Sequence, residues 1–158
     1  MRSIRVVGIV SVLLFTAMAI YTSSLDPGIP SIQLTFTERG FNSILSKWNP
    51  TQVEVFKRHF LIDYPFLICY GLLGYLISKR TDLFAKFTHT AKGLLAVSLP
   101  AAAIADAVEN SLHLIFLYGA GPFGQAQYFA AGTAASIKWL LIVVFVAFAI
   151  YAKFRTTG

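Results

Sequence analysis

The chain is short of the residues that build most soluble folds and active sites. It has one cysteine in 158 residues, Cys69, so no intrachain disulfide can form and no cysteine-based metal motif exists. Charged residues make up 13% of the sequence, about half the share of an ordinary soluble domain. Only seven residues are acidic. No internal repeat is evident. The net charge of +6 would suit nucleic acid, but the basic residues sit at the chain ends and in the connections, where they read as topology markers. No nucleic-acid partner is expected.

What is abundant is apolar. Hydrophobic residues make up 56% of the chain and the mean hydropathy is +0.68. Four apolar segments, 4–22, 56–77, 93–118 and 127–153, each approach or exceed the ~20 residues that span about 30 Å of hydrocarbon as a helix. This predicts an all-α integral membrane protein, a single domain over 1–158. It is a four-transmembrane-helix bundle with a long outer loop carrying a short interfacial helix. Arg2 and Arg5 precede the first span, Lys79, Arg80, Lys86 and Lys92 fill the second connection, and Lys153 and Arg155 follow the last span. The positive-inside rule then puts both termini in the cytoplasm of a cell whose inner membrane holds the protein, and the 23–55 loop on the outer side. An alternative reading of the first segment is a signal peptide cleaved after Ala17-Met18-Ala19, although its apolar run continues through Ile20 and Tyr21.

In the outer loop, Phe41, Ile44, Leu45 and Trp48 recur at helical spacing, with Thr37 as a cap and Asn49-Pro50 as the stop. The segment is either a loop folded over the bundle or a lid for a lipid-facing pocket. Thr51-x-x-Glu54 has capping-box spacing for the start of the second span. Pro65 frees the carbonyl of Leu61, placing an unpaired acceptor near Asp63, and Pro100 frees that of Ala96. The small residues at 130–136 allow helices to approach closely.

Inside the third span, Asp106, Glu109, Asn110 and His113 stand at i, i+3, i+4 and i+7, on one helical face. Ionisable groups in hydrocarbon cost several kcal/mol each and persist where they face a protein interior or a wet cavity, so the stripe marks a functional site. His59, Asp63, Tyr70 and Gly74 share a face of the second span, and Lys138 lies in the fourth. At ~1.5 Å per residue, Asp63 and His113 lie about 8 Å from the outer surface, Glu109 about 14 Å, and Lys138, Asp106 and Tyr70 about 16 to 18 Å. Segments 71–77, 94–105 and 140–151 contain no ionisable group except tyrosine hydroxyls. A dead-end pocket open to the outer leaflet or outer face fits this better than a channel or a proton-coupled transporter.

Three carboxylates facing one ammonium would repel, so the Asp106/Glu109 pair is expected to share a proton, as general acid–base chemistry requires. Duller readings compete. Lys138 can simply neutralise Asp106 or Glu109, Asn110 can serve as an interhelical hydrogen-bond donor, and His113 can be a partly solvated interfacial residue. His59, Asp63, Glu109 and His113 offer four N/O metal ligands, but Lys138 opposes a dication, and no metal or other cofactor is expected. Ser111 lies off the Asp106 face, which leaves a Ser-His-Asp triad unsupported.

Asp63-Tyr64-Pro65, Asp106-x-x-Glu109-Asn110 and Lys138-Trp139 together resemble a family of small four-helix bacterial membrane proteins of unassigned function. The order of helix, long outer loop and three closely spaced helices also resembles the EXPERA group of sterol isomerases and sigma-2-receptor-like proteins, carried by 56–70 in the second span. That resemblance implies intramembrane acids that bind a cationic ligand or move a proton on a sterol. The resulting expectation is a pocket for a membrane lipid or isoprenoid-like molecule, with possible isomerase-like chemistry. Asp106 and Glu109 would be the acid/base pair, and Asp63 and Lys138 would orient or neutralise. Asn110, Tyr70, His113 and Trp139 would contact the ligand. The runner-up is a non-enzymatic accessory subunit whose polar network holds the bundle, a partner membrane protein or a second copy of the chain.

Overall fold

The computed structural model describes residues 1–119 and 121–156. Its elements are α1 (Arg2–Tyr21), α2 (Ile29–Gln33), α3 (Glu38–Leu45), α4 (Pro50–Arg80), α5 (His89–Tyr118) and α6 (Gln125–Thr156). Four of these, α1, α4, α5 and α6, are long and apolar enough to cross a membrane.

The start of α4 differs from the sequence expectation. Asn49, not Thr51, is the cap. Its Oδ1 accepts from the Gln52 amide over 2.9 Å, and Gln52 Oε1 accepts from the Asn49 amide over 2.9 Å. Asparagine is a stronger cap than threonine, and Pro50 at the first helical position has no amide to leave unsatisfied. Thr51 therefore falls inside the first turn, and Glu54 pairs with Arg58 over 2.7 Å. The helix also begins at Pro50 rather than near 56, because its first polar turn extends beyond the apolar run.

The expected loop helix is α3, whose first turn is capped by Thr37 Oγ1 accepting from the Gly40 amide over 3.0 Å. Trp48 lies past its end and donates from Nε1 to the carbonyl of Pro27 over 2.9 Å. The five-residue α2 has no counterpart in the sequence reading, since it is too short to show an apolar period.

The long helices pack in series, α1 on α4, α4 on α5, and α5 on α6, while α2 and α3 rest on α6. The two ends of the series, α1 and α6, are not packed on each other as the neighbouring pairs are. Glycine sets the α4/α5 spacing: a Cβ on Gly74 would stand 2.5 Å from Leu99 Cβ, and one on Gly71 3.0 Å from Ala103 Cβ. The small stretch of α6 does more than the expected helix packing. A Cβ on Gly132 would lie 2.5 Å from the carbonyl oxygen of Thr35, so this glycine seats the outer loop.

Two apolar cores result. An inner one gathers Leu67, Leu95, Leu99, Ala102 and Phe145, and an outer one gathers Ile32, Phe41, Trp48, Phe56, Phe60 and Tyr128. The polar residues of α4, α5 and α6 lie between them along the sequence of each helix. On the outside, Leu61, Ile104 and Leu140 are among many large apolar side chains left exposed, in keeping with helices apolar enough to cross a membrane. Leu61 and Pro65 are both exposed while Asp63 is buried, so the carbonyl freed by Pro65 belongs to the outward face and not to the site.

Candidate functional site

The helical periodicity of α4 turns His59, Asp63 and Tyr70 inward together, and that of α5 does the same for Asp106, Glu109, Asn110 and His113. Lys138 reaches them from α6. All eight are buried.

Lys138 is the hub. Its Nζ lies 3.0 Å from Asp106 Oδ1 and 2.6 Å from Glu109 Oε2. The second oxygen of Asp106 accepts from the Tyr70 hydroxyl over 3.1 Å. Asp63 stands apart from this cluster: its Oδ2 accepts from Asn110 Nδ2 over 2.8 Å, and among the described residues no cationic group pairs with it. His59 donates from Nδ1 to the carbonyl of Phe56, which leaves Nε2 as the ring's acceptor. The cluster and Asp63 together hold three carboxyl groups and one lysine ammonium out of water, where each charge needs a partner or a proton.

A cavity of about 410 Å³ opens beside this cluster. Asp63, Tyr70, Asp106, Lys138 and Trp139, all expected at the site, line it together with His59. Its apolar walls are Phe15, Met18 and Ala19 of α1, Phe66 of α4 and Ile142 of α6, and Gly28 to Gln33 of the outer loop close a further side. Trp139 donates from Nε1 to Gln33 Oε1 over 3.3 Å, tying α6 to α2 at the cavity wall.

Glu109, Asn110 and His113 are not on that wall. They lie behind it with 0%, 0% and 1% exposure. Glu109 reaches the cavity only through Lys138, and Asn110 only through Asp63. His113 is not the partly solvated residue its depth suggested. Phe41 of α3, Phe56 of α4 and Phe116 of α5 cover its ring, with centroids 5.3, 6.0 and 6.2 Å away. A depth measured along one helix cannot register a cap supplied by a distant loop. Glu109 Oε1 is 3.8 Å from His113 Nδ1. Glu109 Oε1, Asn110 Oδ1 and His113 Nε2 are buried without hydrogen-bond partners.

Ser111 is exposed, with its hydroxyl donating to the carbonyl of Ala107 over 2.7 Å and 2.9 Å from the Tyr64 hydroxyl, away from the cluster. Among the described residues, no group of three or more His, Cys, Asp or Glu side chains is arranged to hold a metal ion. The lining residues that sequence reasoning missed include Gln33 and the α1 face, whereas His59 was placed on the Asp63 face and does line the cavity. Nothing in the apolar run of α1 distinguishes Phe15, Met18 and Ala19 from their neighbours.

Comparison of the chain with protein families, with curated proteins and with solved structures finds no match. The likeness to the EXPERA group therefore rests on helix order and residues 56–70 alone.

Proposed function

We propose that this chain is an integral protein of the cell's inner membrane, N-in and C-in. Its cavity binds a lipid-like or isoprenoid-like molecule, with acid–base chemistry at the ligand's polar end as the sharper form of the same reading. The observation that carries it is the mixed lining of the cavity. Asp63, Asp106, Tyr70 and Lys138 contribute polar groups, and Phe15, Met18, Phe66 and Ile142 contribute apolar ones. A volume of about 410 Å³ lies within the ~300–1,000 Å³ of small-molecule sites. The cavity is lined from both α1 and α6, and their loose contact would give an amphiphile a lateral way in from the bilayer.

In this reading Asp106 is the acid or base nearest the ligand, Tyr70 and Lys138 hold its second and first oxygens, and Asp63 is oriented by Asn110. Glu109 completes the acid–base pair from behind Lys138. Segments 71–77, 94–105 and 140–151 carry no ionisable group except tyrosine hydroxyls, which weighs against proton-coupled transport.

The test is a mass spectrum of the lipid extract from gently purified wild-type protein, Asp63→Asn and Asp106→Asn. A small molecule retained by the wild type and lost from folded variants supports the site. A second reading, a non-enzymatic assembly subunit, is favoured by the internal pairing of Lys138 with both Asp106 and Glu109. It predicts lower melting temperatures in both variants, with no change in any bound molecule.

A further inference from the structure

The acid–base reading leaves one requirement unmet. An amphiphile seated with its polar end at Asp106 would cover the cavity side of that carboxyl. Segments 71–77, 94–105 and 140–151 offer no ionisable relay other than tyrosine hydroxyls. A proton that Asp106 gives to such a ligand must be replaced by another route.

We infer that Glu109 and His113 form a proton path from the outer face to Asp106, closed at its outer end by Phe41 of α3. The inference rests on the acid–base form of the proposed function. Asp106, Glu109 and His113 follow one another up successive turns of α5 toward its outer end, and only Asp106 lines the cavity. The intervals are 3.0 Å from Asp106 Oδ1 to Lys138 Nζ, 2.6 Å from Lys138 Nζ to Glu109 Oε2, and 3.8 Å from Glu109 Oε1 to His113 Nδ1. One bridging water or a small side-chain rotation closes the longest of these. Glu109 Oε1 and His113 Nε2 make no hydrogen bond within the protein, which leaves both atoms open to take up or pass on a proton.

Phe41, with Phe56 and Phe116, covers the His113 ring, and it is the member of that cover supplied by the loop. It is 1% exposed, while Glu38, Arg39, Asn42 and Ser43 of the same helix are exposed. Removing its ring therefore thins the cover on the loop side.

The transfer balances. His113 takes a proton from outer water at Nε2 and releases its Nδ1 proton to Glu109 Oε1, and rotation of the ring then turns the remaining N–H toward Glu109 for the next transfer. Rotation of the protonated Glu109 carboxyl carries the proton to the Lys138 side, where it passes to Lys138 as the ammonium gives one to Asp106 Oδ1. Only Asp106 ends with a changed charge, which replaces the proton lost to the ligand.

The whole chain in lipid nanodiscs is moved from H2O to D2O, and the shift of its carboxylic-acid infrared band is timed. His113→Leu should slow the exchange by about tenfold or more, the scale at which a positioned acid–base group contributes. Phe41→Ala should speed it. Should His113→Leu fail to fold, Phe41→Ala carries the test alone. Exchange at the wild-type rate in the folded variants overturns the path but leaves the acid–base reading standing. Absence of any carboxylic-acid band from the wild type removes that reading and the path with it.

Discussion

Lys138 Nζ stands 3.0 Å from Asp106 Oδ1, across the α5/α6 interface, and both residues face the cavity. The pair therefore ties two helices together at the place where a ligand would sit, and Glu109 shares the same ammonium from behind.

Lys138→Met should lower the detergent melting temperature, with a loss of about 3 kcal/mol, because it leaves two carboxyl groups side by side in a buried site. Adding Asp106→Asn or Glu109→Gln should recover much of that loss, since the variants share one network. Thermal unfolding of the singles and doubles checks this. Strictly additive losses would mean that charge is not what the lysine contributes.

Two glycines should respond in opposite directions to alanine. Gly74→Ala drives a Cβ to 2.5 Å from Leu99 Cβ, so α4 and α5 must separate, at a cost of about 1–3 kcal/mol. Gly93→Ala meets nothing within 4 Å and should stabilise α5 by up to ~1 kcal/mol through helix propensity. Melting temperatures of the two variants, measured together, give the contrast.

The charge pattern predicts that a reporter fused after Gly158 reads cytoplasmic and one inserted near Gly121 reads periplasmic or lumenal. A mature chain beginning at Ile20 would identify the first segment as a signal peptide. It would also remove the cavity wall formed by Phe15, Met18 and Ala19.

The four long helices were legible because each apolar run is long, and the inward faces of α4 and α5 were legible because Asp63 and Asp106 sit at helical spacing from other polar residues. What escaped depends on contacts between distant segments. Gln33 meets Trp139 across 106 positions of sequence, and Phe41 covers His113 from the outer loop. No local period announces either. The separation of Glu109 from the cavity was equally hidden, because Asp106 and Glu109 are too close in sequence for spacing alone to tell the residue on the wall from the one behind it. The start of α4 was misread for a local reason, with two competing caps two residues apart and the stronger one prevailing.

The central claim is that the cavity holds an amphiphile, and the direct measurement is native mass spectrometry of the intact protein beside versions with the apolar part of the cavity filled. Ala19→Trp and Ile142→Trp each place a large ring at the cavity wall while leaving Lys138, Asp106 and Glu109 unchanged. The account predicts a bound lipid-like molecule on the wild type and its loss from both variants at an unchanged melting temperature. A wild-type protein that carries no such molecule, or variants that retain it equally, would contradict the account.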